Sequence, residues 1–454
     1  MKKKFLRWYY RLLGKLAHRY LRKHNAYIIW INGSVGKTSC RMIIYQTLKK
    51  NFPQLHIYTS TKNFNGELWL SLSIFQIEQR NPTIRTCISV VIKIIWKLFF
   101  WSKPYDIVIL EYGIDRPKEM EFLLTIAKPH IGVFTAIDAV HSEQFWNPTE
   151  IANEEVKMLK NTLEIWFLNA NDPYAIQLKP QMKIDFLTYQ TQGYDIQADI
   201  TFANEKFFLG DIQGDLGVSF DLKIRNRTHH VQTNILGKPH YGYIGVALAI
   251  ADIIGYKTFL SEKKLHLDDT LIVNYELQPG RLSIFPGVEN SIIIDSTYNS
   301  SPLSIRKIIN TVHNMREQIF PQRKVRMLLG DMRELGDLTE QEHRLISWYV
   351  SQVADRVFLI GPAMTGHLAD ELVKVGYDPD KIYTYTNAMH AWQNIRKMLK
   401  EPGTECLVVC KWSQNTLFLE EAVKELLANP LDAKKLTRQS ARWISKKKFF
   451  FEGA

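Results

Sequence analysis

Residues 26–50, AYIIWINGSVGKTSCRMIIYQTLKK, decide how this chain is read. Ala26 to Ile31 is an unbroken apolar run of strand length. The turn Gly33-Ser34-Val35-Gly36-Lys37-Thr38-Ser39 follows, and then a helical stretch to Lys50. A buried strand, a glycine-bearing turn and Lys-Thr at the start of a helix form the context of a phosphate-binding loop. Gly33 and Gly36 let backbone N–H groups face a polyphosphate, and the helix N-terminus adds partial positive charge. Lys37 is the side chain to reach the β- and γ-phosphates, from an expected solvent-facing position, and Thr38 offers its hydroxyl to Mg²⁺. The first glycine of the longer G-x-x-x-x-G-K-[ST] form would fall at Ile31, so this is the shortened form.

Outward from the loop, buried strands alternate with helical segments from Tyr27 to about Asn274, the signature of a mainly parallel sheet. Ligands of such sheets bind beyond the carboxyl ends of the strands. That rule selects Glu111, which closes the strand Tyr105 to Gly113 and is placed to hold Mg²⁺ opposite Lys37. Alone, a strand-end glutamate is more often a loop or cap residue; the phosphate loop gives it meaning. The strand Ile131 to Ile137 runs into Asp138-Ala139-Val140-His141-Ser142-Glu143. There His141 and Glu143 could serve a second metal or a reacting phosphate, although a lone histidine at such a place is usually a structural hydrogen-bonder. Thr59 to Glu67 is a polar loop holding Asn63 and Asn65. Ile165 to Asp172 is a further strand, residues 184–235 turn to short antiparallel strands, and Ile235 to Ala251 returns to helix.

The turn Gln278-Pro279-Gly280-Arg281 marks a junction. Buried strands follow at Ser291 to Asp295, Val325 to Leu329, Arg356 to Ile360 and Cys406 to Cys410, spaced by helices. This predicts a second, Rossmann-like doubly wound domain without the G-x-G-x-x-G of a nicotinamide site. Polar clusters at its strand ends, Asp295 to Pro302 and Leu329 to Gly336, point to a cleft closing over a ligand. The expected division is a helix over 1–26, a central P-loop ATPase domain over 27–274 and the C-terminal domain over 275–454, an α/β fold throughout.

Composition narrows the partners. The formal charge of +12 resides in two tails: residues 1–24 carry nine Lys/Arg and no acid, and 433–451 carry seven and no acid. The rest of the chain is net negative, which argues against a nucleic-acid-binding core. Residues 4–23 read as a basic amphipathic helix, with Leu6, Tyr9, Leu13, Leu16 and Tyr20 opposite the bases. Two readings stand: the helix lies on an anionic membrane surface, or its apolar stripe packs on the next domain. Cys40, Cys87, Cys406 and Cys410 are too few and scattered for a disulfide framework, which fits a reducing cytoplasm. No signal peptide is visible, and the apolar run Cys87 to Trp101 is too short and lysine-broken to span a bilayer.

With these residues in hand, the chain resembles the Mur ligase superfamily, in particular its D-alanyl-D-alanine-adding (MurF-type) branch. The residues that carry the resemblance are Gly33 to Ser39, Asn63-Phe64-Asn65, Glu111-Tyr112-Gly113, His141 with Glu143, and Asn169-Ala170-Asn171-Asp172. They continue with Gly280-Arg281, Asp295 with Tyr298-Asn299 and Pro302, and Gly330-Asp331-Met332 with Glu334-Leu335-Gly336. The resemblance implies an ATP-dependent amide ligase of cell-wall peptidoglycan precursor metabolism. A carboxylate, muramyl-peptide-like, attacks the γ-phosphate to give an acyl phosphate, and an amino-acid or dipeptide amine displaces phosphate. It further implies ATP and Mg²⁺ as cofactors, with metal ligands at Thr38, Glu111 and His141. Asn63 borders the phosphates, and Arg281, Asp295 and Tyr298 make nucleotide contacts.

The sequence also departs from the family. The uridine-nucleotide domain expected ahead of the loop is absent before Tyr27, so a family-type grip on a uridine nucleotide is not expected. The adenine motif is blurred in Gly237-Lys238-Pro239-His240-Tyr241, and the late Lys-Gly-Ser-Arg reads Lys411-Trp412-Ser413-Gln414. Relatives carry a carbamylated lysine on the helix after His-x-Glu. Here Glu155 aligns with it as a ready-made carboxylate, and Lys157 is the alternative two residues on. Three functions follow: a cytoplasmic D-alanyl-D-alanine-adding-like ligase, a ligase on another carboxylate such as folate or cyanophycin, or a nucleotide-binding partner subunit without turnover. Both basic tails allow peripheral contact with the inner membrane face.

Overall fold

The computed structural model describes residues 2–60, 67–77, 83–100, 105–112, 119–138, 148–193, 196–210, 216–257, 260, 265–401, 405–413 and 417–452. The first sheet is built from β1 (Tyr27–Asn32), β2 (Ile57–Thr59), β3 (Ile107–Glu111), β4 (Ile131–Phe134), β5 (Ile165–Asn169), β6 (Asp185–Tyr189), β7 (Ile200–Leu209), β8 (Leu216–Ile224), β9 (Arg227–Thr233) and β10 (Thr270–Ile272). Their spatial order is β10-β9-β8-β7-β6-β5-β4-β1-β3-β2. From β2 to β7 every pairing is parallel; the antiparallel excursion expected for residues 184–235 is confined to β7, β8 and β9, because β6, within that span, still pairs parallel with β5 and β7. β1 pairs with β3 on one side and β4 on the other, the point where the winding reverses. Open α/β sheets form their ligand crevice at such a point.

The second sheet comprises β11 (Ser283–Pro286), β12 (Ile292–Ser296), β13 (Lys324–Gly330), β14 (Arg356–Ile360), β15 (Ile382–Tyr385) and β16 (Cys406–Lys411), in the order β11-β12-β16-β13-β14-β15. Only β11 runs antiparallel to its neighbour. The four buried strands read from the sequence are β12, β13, β14 and β16. The short edge strands β11 and β15, of mixed polarity, carried no such apolar signal.

Apolar strand faces need cover, and helices supply it. On one face of the first sheet, Lys37–Asn51 packs against Lys238–Gly255, and their buried side chains join a core that continues into the second domain through Ile305, Ile308 and Ile309. The other face is covered by Lys2–Lys23, Glu67–Ile74, Ile84–Phe100 and Glu119–Ile126. The N-terminal helix thereby settles its own question. Tyr9, Leu13, Ala17, Tyr20 and Leu21 are buried in that second cluster, so its apolar stripe belongs to the body, and no membrane can take up the same face. Arg11, Lys15, Arg19, Arg22 and Lys23 stay exposed.

The C-terminal tail is likewise docked. Its helix Ala441–Glu452 brings Trp443 and Phe450 against Phe418, and Lys447 is buried 2.5 Å from Glu421. All four cysteines are buried free thiols. Among the described residues, no helix is long and apolar enough to cross a membrane.

Candidate active site

The phosphate loop begins where β1 stops. Asn32 Oδ1 accepts from Gly33 N at 2.9 Å, and the chain then turns through two glycines with φ of 120° and 92° at Gly33 and Gly36. Neither tolerates a side chain. A Cβ on Gly33 would lie 2.3 Å from Thr135 Oγ1, and one on Gly36 would lie 2.0 Å from the Tyr243 hydroxyl. Loop and surroundings are thus fitted to each other at contact distance. Ser34 N donates to the Ala136 carbonyl at 2.6 Å, which ties the loop to the segment after β4. That segment is held in turn by Asn169, whose Nδ2 donates to Thr135 O at 2.6 Å, and by Asp172, whose Oδ2 accepts from Ile137 N at 2.7 Å. The Asn169-to-Asp172 motif therefore works as a support for the loop.

Lys37 opens the loop helix, as the sequence indicated, but it does not face solvent. It is 8% exposed, and its ammonium donates to the carbonyls of Gly33 and Ser34. An ammonium this close to two carbonyl dipoles is better satisfied there than in a half-dry cleft. Beside it, Thr38 Oγ1 donates to Glu111 Oε1 at 2.9 Å, which joins the helix start to the end of β3. The other Glu111 oxygen lies 3.1 Å from Arg41 Nε, and that guanidinium is fully buried, donating also to Thr59 Oγ1 at 2.8 Å and to the Ser60 carbonyl. Sequence reading missed Arg41. The available signal was spacing, since Thr38 and Arg41 stand three apart on one helical face.

Across from the loop lies the second domain. A cavity of about 300 Å³ is lined on one side by Ser34 to Ser39, Glu111, His240 and Tyr243, and on the other by Arg281, Ser296, Tyr298 to Ser301, Lys307, Glu334 and Lys411. The halves meet directly where Leu303 N donates to Asp138 Oδ2 at 3.2 Å. Ser301 caps the helix Pro302–Ile319 with a reciprocal capping box, and this aims Lys307, one and a half turns on, at the cavity. Lys411 ends β16, its ammonium 2.6 Å from the Asn299 carbonyl and 3.3 Å from Ser296 Oγ.

The cavity wall across from the loop is electropositive. Burial pushes the Lys411 ammonium down to about 7, helped by the nearby Arg281 charge, and pushes Lys307 down to about 8, against the pull of Asp138 and Asp172. Burial likewise lowers Arg281. His240 is pushed down to about 4 by burial and is neutral at pH 7, its Nδ1 2.5 Å from the Leu236 carbonyl. Lys411 is buried and Lys307 and Arg281 half-buried, and an arriving anion would offset the cost of holding these three cations together.

The other expected site residues are placed as follows. Tyr298 lines the cavity with its ring 4.3 Å from the Arg281 guanidinium. Asp295 stands behind the wall: it is fully buried, its Oδ1 accepts from Thr297 N at 3.0 Å, and burial raises its carboxyl to about 6. Asn63 and His141 lie outside the described residues, as does Glu143. Glu155 is on the helix Pro148–Leu159. Lys157, its alternative, is held by Glu121 at 2.8 Å and Glu154 at 2.9 Å.

Two family models fit this chain: the Mur ligase middle domain over residues 31–251, and the Mur ligase glutamate ligase domain over residues 280–411. Between them they match more than three quarters of its length. The chain belongs to the Mur ligase family.

Relatives of this Mur ligase family chain include a UDP-N-acetylmuramoyl-tripeptide–D-alanyl-D-alanine ligase of Borreliella burgdorferi, 25% identical over 77% of the chain and 66% of that protein. Another, of the same name, from Bacillus subtilis, is 24% identical over 92% of the chain and 80% of the relative. Among solved structures, the MurF ligase of Thermotoga maritima in complex with ADP matches with a TM-score of 0.69 at 18% identity, covering 92% of this chain and 83% of the other. That last likeness establishes a shared fold. Together these fit the family expectation drawn from the phosphate loop and strand-end residues.

Proposed function

We propose that this Mur ligase family chain is an ATP-dependent amide ligase of peptidoglycan precursor synthesis. It activates a muramyl-peptide-like carboxylate as an acyl phosphate and joins it to an amino acid or dipeptide such as D-alanyl-D-alanine. The observation that carries the reading is one cavity in which the phosphate loop and Glu111 face Arg281, Lys307 and Lys411. Phosphoryl transfer needs little beyond positioning and charge neutralisation, and those residues supply both.

The donor set fits the groups the reaction requires. Backbone N–H groups of Gly36 to Ser39, at the start of the loop helix, with the Ser34 hydroxyl that is buried without a partner among the described residues, suit a polyphosphate. Thr38 and Glu111 are hard oxygen donors of the kind Mg²⁺ selects. When bound, Mg²⁺ supplies charge neutralisation at the phosphates. Lys37 leaves the Gly33 carbonyl for the β/γ-phosphates, so the loop holds it nearby in reserve. Arg281 and Tyr298 form a stacked wall for the nucleotide, and Asp295 shapes the loop that carries Tyr298. Asn63 and His141 complete the phosphate border and the second metal position. Glu155 takes the place of the family's carbamylated lysine. Lys157 would have to abandon two carboxylates to serve instead, which favours Glu155.

Hydroxylamine trapping tests the reading. With ATP, Mg²⁺ and the carboxylate but no amine, a hydroxamate should accumulate, dependent on Lys37. Nucleotide binding with neither hydroxamate nor ADP across a panel of muramyl-peptide, folate and amino-acid carboxylates would favour the non-catalytic subunit. Bicarbonate rescue of activity in CO₂-depleted buffer would count against Glu155 and for a carbamylated lysine.

A further inference from the structure

The helix Ile84–Phe100 is apolar on two faces, and only one of them is used. Cys87, Val90 and Ile94 point into the core beneath the first sheet. Outward, Ile84, Ile88, Ile92, Trp96, Phe99 and Phe100 are 68%, 55%, 61%, 60%, 77% and 69% exposed. At 3.6 residues per turn, all but the last of these fall within an arc of about 120°. A surface helix ordinarily turns its polar side to water, and one that is apolar all round is ordinarily buried. This helix is neither. A run of large side chains exposed along some 25 Å of helix marks an interaction surface.

Charge says what covers it. The helix contains no Asp or Glu, and neither does its neighbour Lys2–Lys23. Arg85 and Lys93 are exposed on it, and Lys23 Nζ donates to the Leu98 carbonyl at 3.0 Å, which sets the basic end of the N-terminal helix against its last turn. Aromatic and branched side chains over a basic rim with no acid match an anionic bilayer surface, where rings and aliphatic groups enter the headgroup boundary and bases meet lipid phosphates. A second copy fits worse, since pairing two such faces would bring Arg85 and Lys93 of both chains together. The loop helix Lys37–Asn51 lies on the opposite face of the sheet, so a surface seated here leaves it uncovered.

We propose that the outward face of the helix Ile84–Phe100 is a docking surface for anionic phospholipid bilayers, holding the protein peripherally at a membrane through side chains that the catalytic cavity does not use.

The test is co-sedimentation of the full chain with vesicles of phosphatidylglycerol and phosphatidylcholine, or of phosphatidylcholine alone, in parallel with the double variant W96E/F99E. Both positions are exposed, so the variant should keep its melting temperature. The expected result is binding to the anionic vesicles that weakens with salt and falls about tenfold or more in the variant. Equal binding of variant and wild type, no binding to either vesicle, or equal binding to both vesicle types would overturn the proposal. So would a dimer in light scattering that the double substitution dissociates, because a second copy would then own the face.

Discussion

Arg41 Nε lies 3.1 Å from Glu111 Oε2, with the arginine side chain fully buried and the glutamate 6% exposed. The carboxylate at the end of β3 is thus held from both sides, by Thr38 through one oxygen and Arg41 through the other. Both oxygens are thus oriented by protein side chains.

That arrangement separates two variants. Glu111→Gln keeps the shape and the hydrogen-bond acceptor but removes the charge. It should lower turnover by about 10²–10³, as loss of one electrostatic contact to a transition state does, and should raise the Mg²⁺ concentration needed for half-maximal rate. Arg41→Met leaves the buried carboxylate without its counter-ion and should cost about 3–5 kcal/mol of stability. Thermal melts with and without Mg²⁺ distinguish the two. A Glu111→Gln enzyme with unchanged metal dependence would remove Glu111 from the metal site.

Lys37→Ala tests the loop. Among the described residues its ammonium donates only to carbonyls of its own loop, Gly33 and Ser34, so removing it disturbs little of the fold. Turnover should fall by about 10²–10³ while circular dichroism and melting temperature change little. Near-normal ATP-dependent activity would contradict the assignment.

A pH dependence follows from Lys411 and Lys307, held down to about 7 and about 8 by burial. Both sit below their unfolded value, so between about pH 7 and 10.5 the folded chain binds fewer protons than the unfolded one. Below that window holding these ammonium groups in the fold is a cost, and across it the cost is lifted, so stability rises with pH. An arriving polyphosphate reverses the preference and raises both values. Nucleotide binding should therefore take up protons near pH 8 and weaken as pH rises from 7 to 9. Calorimetric titration of Mg-ADP at pH 8, in two buffers of different ionisation enthalpy, measures the uptake. Lys411→Met should reduce it, and proton release would contradict the account.

Arg438 reaches the cavity wall from the C-terminal tail. It donates to the carbonyls of Thr297 at 3.1 Å and Tyr298 at 2.7 Å, with its guanidinium 5.8 Å from the Tyr298 ring. Its partner Glu420 is fully buried 3.3 Å away. Arg438→Ala should loosen the segment bearing Tyr298 and raise the KM for ATP by about tenfold, the scale of one charged hydrogen bond, with kcat much less affected. An unchanged KM would show that the tail only braces the domain.

Much of this was legible beforehand, for a physical reason. Buried parallel strands are written as apolar runs, and their carboxyl ends as the polar residues that stop them; Asn32, Glu111, Ser296 and Lys411 all stand at such stops. Arg41 and Lys307 were not legible. Each looks like one more base on the solvated side of a helix; Arg41 is turned inward by Glu111, Thr59 and Ser60 at the strand ends of the first sheet, and Lys307 by the meeting of the two domains around the cavity. Lys37 was placed correctly in the chain and wrongly in its surroundings, because sequence does not show that the ammonium folds back onto carbonyls of its own loop. Asp295 fell behind the wall for a similar reason: a strand-end carboxylate can serve its own turn as readily as a ligand. The N-terminal helix admitted two partners for its stripe, and the uncovered face of the first sheet decided between them.

The central claim is that ATP is turned over here only to join a carboxylate to an amine. Its most direct test is phosphate release by the full chain with ATP and Mg²⁺, supplied with UDP-N-acetylmuramoyl tripeptide and D-alanyl-D-alanine singly and together, and with folate and amino-acid pairs in parallel. The account predicts sustained release only when a carboxylate and an amine are both present, matched by the amide product and lost in Lys37→Ala. Release at the same rate without either substrate, or none with any pair although ATP binds, would contradict it.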